Sequence, residues 1–228
     1  IYQKISGFSI STPGAILLGA ALISFSHITY AFIITNDSPR VATTNFSGRP
    51  IDATDFVTGN TKSDVVIVAY SDTECPFCAQ LHPTLEQLQE KYADTVAFAY
   101  RYFPLTQIHP NAFDEARAIF CVGKVAGNEK RSKYINDIFN YKLANKNMTF
   151  PKNGKEDLAK NIGLDEAAFT SCLNSQESSK IVSDSIQDGI QAGVEGTPAT
   201  FILVKTKEGY ETVSMIGGAQ SITYFEAA

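Results

Sequence analysis

The sequence predicts an α/β fold, and three observations carry that reading. Two apolar, β-branched runs, Val65–Tyr70 and Thr95–Phe103, flank a stretch of helical character, which spells a βαβ unit. From Leu105 to about Gly193 the apolar residues recur only at helical spacing. Strand-length runs then return at Ala199–Lys205 and Tyr210–Ile216, followed by Ser221, a residue suited to capping a last helix. The predicted order is βαβ, a helical insertion, then ββα, with a transmembrane helix in front.

Bulk properties narrow the function classes. A chain of 228 residues suits one large domain or a domain with an insertion. Hydrophobic content of 44% and charged content of 19% are those of a globular protein. A net charge of −5 argues against nucleic-acid binding or a polybasic membrane-surface role. Four cysteines are too few for a disulfide-dense miniature fold and match one redox pair plus one structural pair. The chain opens on Ile1 and stops at Ala228 just past a helix start, and further residues are expected at both ends.

Residues 1–12 form a short N-terminal segment ahead of an expected anchor at 13–35. No Asp, Glu, Lys or Arg occurs from Ile5 to Asn36, and Ala15–Ile34 would span about 30 Å as a helix, the thickness of a bilayer's hydrocarbon. A cleaved signal peptide is the rival reading, although its apolar region is normally shorter. Lys4 precedes the span while Arg40, Arg49 and Lys62 follow it, so charge counting does not support export of the C-terminal part. Residues 36–62, rich in Thr, Ser, Asn and Gly, read as a linker with a short strand or turn near Ile51–Val57.

The first half of the α/β unit occupies 63–107. Its helix is expected from Pro76 to Tyr92, with Leu81, Leu85 and Leu88 on one side and a kink at Pro83. Strand, helix, strand at this spacing predicts parallel strands. Within the insertion, 108–192, Ala112, Ala116, Ile119 and Phe120 make one stripe, Ile135, Ile138 and Phe139 another, and Asp165 is placed as an N-cap. Val182, Ile186 and Ile190 make the last stripe. Residues 193–228 supply the hairpin, with its turn at Lys207-Glu208-Gly209, and the final helix start.

The chemistry centres on Cys75-Pro76-Phe77-Cys78 at the strand-to-helix junction. A zinc site would need a second close pair of ligands, and Cys121 and Cys172 stand 51 positions apart without Cys or His neighbours, so no metal is expected. Redox chemistry needs what is present. Pro76 starts the helix without losing a hydrogen bond. Cys75 then sits at the positive end of the helix dipole, which stabilises a thiolate. Cys78, on the same face one turn deeper, can resolve a mixed disulfide by attacking Cys75.

The stretch Val65–Asp72 with Glu74-Cys75-Pro76-Phe77-Cys78 resembles the active-site segment of DsbA-like thiol:disulfide oxidoreductases. The resemblance continues through Tyr102-Phe103-Pro104-Leu105, His109-Pro110 and Val194-Glu195-Gly196-Thr197-Pro198-Ala199-Thr200-Phe201, and covers about Ile51 to Tyr224. It implies a thioredoxin fold with a helical insertion. It also implies that Pro198 is cis and lies beside the cysteines, with Thr197 offering backbone groups to an extended substrate. Relatives often carry a buried Glu where this chain has Ala69, so Cys78 must exchange its proton with water or another group. Glu74 would raise the pKa of Cys75 if close, and is expected to point to solvent. Phe77 cannot stabilise a thiolate by charge, so Cys75 is expected to be less acidic than in the strongest oxidants of this kind.

For Cys121 and Cys172 two readings stand: buried free thiols, or a structural disulfide clamping the insertion, as in some DsbA-like relatives. A disulfide would require an oxidising compartment and would settle the orientation of the chain. The resemblance implies an extracytoplasmic, periplasmic oxidase of reduced exported proteins, reoxidised by a quinone-linked membrane partner of the DsbB type and using no cofactor. The alternatives are a reductase or isomerase of the same fold, and a non-catalytic peptide-binding or chaperone module.

Overall fold

A computed structural model of the chain describes residues 44–52, 54–151 and 153–228. The anchor expected at 13–35 lies outside the described residues, as do the first residues of the expected linker. Among the described residues no helix is long and apolar enough to cross a membrane.

Six strands form one sheet: β1 (Thr44–Asn45), β2 (Phe56–Gly59), β3 (Val65–Ser71), β4 (Ala97–Tyr102), β5 (Ala199–Lys205) and β6 (Tyr210–Gly217), in the order β1-β6-β5-β3-β4-β2. Helix α1 (Pro76–Tyr92) joins β3 to β4, which run parallel with Ala69 opposite Tyr100. The β5–β6 hairpin is antiparallel, and β5 pairs antiparallel with β3, setting Thr200 opposite Ala69. Helix α6 (Ile222–Ala227) closes the chain, its first turn capped by Ser221. This is a thioredoxin fold. Between β4 and β5 stand the inserted helices α2 (Ala112–Asn145), α3 (Gly154–Asn161), α4 (Glu166–Leu173) and α5 (Gln176–Gln191). Asp165 caps α4 by accepting from the Ala168 N–H at 2.8 Å. Helix α2 breaks at Gly127, whose φ of 83° an L side chain rarely adopts.

Strand alternation sends side chains to two cores. Ile67, Ala69 and Phe98 meet Leu81, Leu85 and Leu88 of α1 and Phe225 of α6. Val66, Val68, Tyr70, Ala99, Phe103 and Phe201 face the other way, where Ile186 of α5 and Phe46, Ile51 and Val57 cover them. The last three come from the expected linker. That segment contributes both outer strands, β2 overlapping the short strand or turn expected near Ile51–Val57, and both are too short to show alternation in sequence.

Candidate active site

The loop leaving β3 is held by groups behind it. Asp72 Oδ1 accepts from the Glu74 N–H at 2.7 Å, and Oδ2 accepts from the Leu105 N–H at 2.7 Å and faces His109 Nδ1 at 2.8 Å. Glu74 does not point to solvent: it is buried, and its carboxylate accepts from the Asn111 N–H at 2.7 Å and from Asn111 Nδ2 at 2.9 Å. The donors that precede α2 would otherwise be orphaned, and the glutamate satisfies them. Thr73 donates to Glu115 Oε2 at 2.5 Å while its carbonyl accepts from Lys142 Nζ at 3.0 Å. Glu115 and Lys142, both on α2, form a buried ion pair.

Cys75 occupies the N-cap of α1, in extended conformation, with Pro76 following at the start of the helix. Its Sγ donates to the Thr197 carbonyl oxygen at 3.3 Å, and the Thr197–Pro198 peptide is cis. The structure therefore brings Cys75, Pro76, Cys78, Thr197 and Pro198 together. Phe77 between the cysteines is 56% exposed and stands on the rim. The hydrogen bond from the Cys78 side chain, with the N–H groups of Cys78 and Phe77, outweighs burial and lowers the Cys75 pKa from 9.0 to about 6. Cys78 is 2% exposed, and burial first, then the neighbouring Cys75, pushes its thiol up.

Cys121 of α2 and Cys172 of α4 form a disulfide inside the insertion, part of a core that also includes Cys75 and Cys78. A groove of about 300 Å³ opens beside α1 and reaches Ala69 and Tyr100 on the sheet; His82 and Glu86 line it. The ring nitrogen His82 Nε2 lies 2.9 Å from Asn136 Oδ1. Sequence reasoning named neither Glu115 nor Lys142. Both fall on the apolar stripes of their helix, one turn from Ile119 and Ile138, and a charge on a buried stripe is the signal that could have found them.

A family model described as thioredoxin matches residues 52–216. Among curated proteins, the Na(+)/H(+) antiporter NhaA 1 of Mycobacterium sp. (strain KMS) is 26% identical over 181 residues, 74% of this chain and 27% of that protein. A putative protein-disulfide oxidoreductase of Rickettsia prowazekii is 47% identical over 51 residues, 22% of this chain and 19% of that protein. The chain thus spans less than a third of the length of either relative. Among solved structures, the thiol-disulfide exchange protein alpha-DsbA2 of Wolbachia pipientis superposes with a TM-score of 0.62 at 22% identity, covering 77% of this chain and 86% of that one. With more than half of its length matched by the family model, and with the fold described above, the chain belongs to the thioredoxin family.

Proposed function

We propose that the protein is a thiol:disulfide oxidoreductase that introduces disulfides into exported proteins. The observation that carries this is the inequality of the two sulfurs: Cys75 is acidic and lies against the Thr197 carbonyl, while Cys78 is buried with its pKa raised. A substrate thiolate attacks Cys75 of the oxidised pair, forming a mixed disulfide as the Cys75–Cys78 bond breaks. A second substrate thiolate then attacks the substrate sulfur of that bond. Two electrons pass to the pair, leaving a Cys75 thiolate and a Cys78 thiol. The low pKa makes Cys75 a good leaving group. The backbone at Thr197 offers an extended substrate a place to pair as an added strand.

The buried Cys121–Cys172 disulfide supports an oxidising, periplasmic setting. The uncharged run before Asp37 supports a single-pass anchor, and a quinone-linked partner of the DsbB type would return the pair to its oxidised state. A Cys75 pKa of about 6 lies between those of thioredoxin, about 7, and DsbA, about 3.5, which suits a moderate oxidant.

The test is equilibration of the pair with glutathione, together with refolding of a reduced, scrambled protein. A potential near −120 mV with net oxidation supports the reading, whereas one near −270 mV assigns a reductase. Reshuffling without net oxidation assigns an isomerase, and no thiol turnover leaves only a peptide-binding module.

A further inference from the structure

Cys78 changes its protonation state each time the cysteine pair opens or closes, yet its sulfur is almost fully buried. The carboxylates nearest the cysteine loop are already engaged. Asp72 is held by two N–H groups and His109, Glu74 by Asn111, and Glu115 by Thr73 and Lys142 through Oε2, its Oε1 having no partner among the described residues. His82, one turn further along α1, is paired with Asn136 and lies beside Glu86. On the sheet side the Asp72 N–H donates to Cys78 Sγ at 3.4 Å, and a set of hydroxyls stands on the neighbouring face of the strands.

Strand register places them. Ala69 and Ser71 alternate onto one face of β3; Tyr100 lies across from Ala69 on β4 and Thr200 across from it on β5. The Ser71 hydroxyl acts on both the Cys78 thiol and the Tyr100 phenol, drawing each pKa down against the upward push of burial. Thr200 Oγ1 is buried and has no partner among the described residues. The small Ala69 side chain leaves room, and Ala69 and Tyr100 line the inner end of the groove of about 300 Å³. That space is polar on one side and large enough for ordered water.

Resting on the function proposed above, we propose that Ser71 and Tyr100 are the proton path of Cys78, linking its sulfur to water in the groove beside Ala69. On closure from a mixed disulfide, the Cys78 proton passes to Ser71 Oγ as the Ser71 proton passes to the Tyr100 oxygen and the Tyr100 proton to groove water. Cys78 Sγ bonds to Cys75 Sγ, the bond from Cys75 to the partner sulfur breaks, and the partner leaves as a thiolate. The pair loses two electrons and the partner disulfide gains them. On opening, the same protons return. Ser71 and Tyr100 end each cycle unchanged.

The test follows the reduced protein reacting with oxidised glutathione, with acid quenching and mass measurement separating mixed-disulfide formation at Cys75 from closure by Cys78. Tyr100→Phe keeps the ring and removes only the hydroxyl. It is expected to slow closure about a hundredfold at neutral pH, the lower range for a positioned proton-transfer group. Formation of the mixed disulfide and the Cys75 thiolate titration, read by ultraviolet absorbance, should stay unchanged. Added imidazole, small enough for the groove, should restore closure. Ser71→Ala should behave alike and carries the test if the tyrosine variant does not fold. Closure within roughly twofold of the unsubstituted rate in the folded variants, too small a change for a lost transfer group, overturns the path. So does slowed closure that imidazole does not restore, which marks a structural role. Absence of exchange in the unsubstituted protein overturns the oxidoreductase reading and this one together. Normal closure in the variants overturns only the path.

Discussion

At the scale of the residue, position along one helix turn separates two chemically identical thiols. Cys75 meets the first N–H groups of α1 and titrates near 6, below its ordinary 9.0, so the reduced protein gains stability from its thiolate. That gain is complete above pH 9 and disappears as pH falls through 6, because it accumulates between the two values, where the unfolded thiol still holds a proton that the folded one has lost. The oxidised pair does not titrate. Denaturant unfolding of both forms should show the reduced form gaining on the oxidised one between pH 6 and 9; a constant difference would refute the assignment. Lys142→Met should cost about 3–5 kcal/mol in the same measurement, because it strands the Glu115 carboxylate in the core. The cysteines were legible from spacing and Pro76 alone. The burial of Glu74 was not, since its partner Asn111 stands 37 positions away and only the folded chain brings the two together.

At the scale of the element, helices and strands with strong periodicity were readable, and α1 begins and ends where Pro76 and Tyr92 suggest. Of the edge strands, β2 was only hinted at by the short strand or turn expected near Ile51–Val57 and β1 not at all, because two or four residues carry no period and their pairing with β6 and β4 is decided by tertiary contact. The disulfide joining α2 to α4 closes a loop of 51 positions, for which the chain-entropy estimate is about 4 kcal/mol. Cys121→Ala with Cys172→Ala should lower stability by up to that amount while leaving exchange at Cys75 intact; a loss below about 0.5 kcal/mol would show that the insertion stands without its clamp. Helix α5 approaches the sheet at Gly189, where a Cβ would lie 2.5 Å from the Phe103 ring. Gly189→Ala should therefore destabilise by about 1–3 kcal/mol, despite the higher helix propensity of alanine. Equal or raised stability in thermal unfolding would show that the Phe103 ring can move aside.

At the scale of the whole molecule, one buried cation ties distant parts of the chain. Arg101 on β4 reaches Asp188 of α5 at 2.8 Å, Asp55 at 2.9 Å, and the carbonyls of Arg49 and Pro50, while Arg49 in turn pairs with Asp55 at 2.7 Å. Arg101→Met should cost about 3–5 kcal/mol by leaving the buried Asp188 carboxylate without its ion-pair partner and Asp55 with Arg49 alone. Such a loss should appear as a lowered denaturant midpoint, and an unchanged midpoint would refute the role. The same network holds down the segment from β1 to β2, which crosses the full width of the sheet. Five strand spacings come to about 24 Å, and the ten connecting residues reach at most about 36 Å, so the crossing uses about two thirds of their full extension. The segment is a belt across the sheet. Tension applied from the N-terminal side is met first at the two residue pairs of β1 with β6, which peel one at a time, and next at the Arg49–Asp55–Arg101 buckle. The cysteine loop, anchored independently through Asp72, Glu74 and α2, lies off that line of force. A pull on this end of the chain would therefore unfasten the belt before it disturbed the sulfurs.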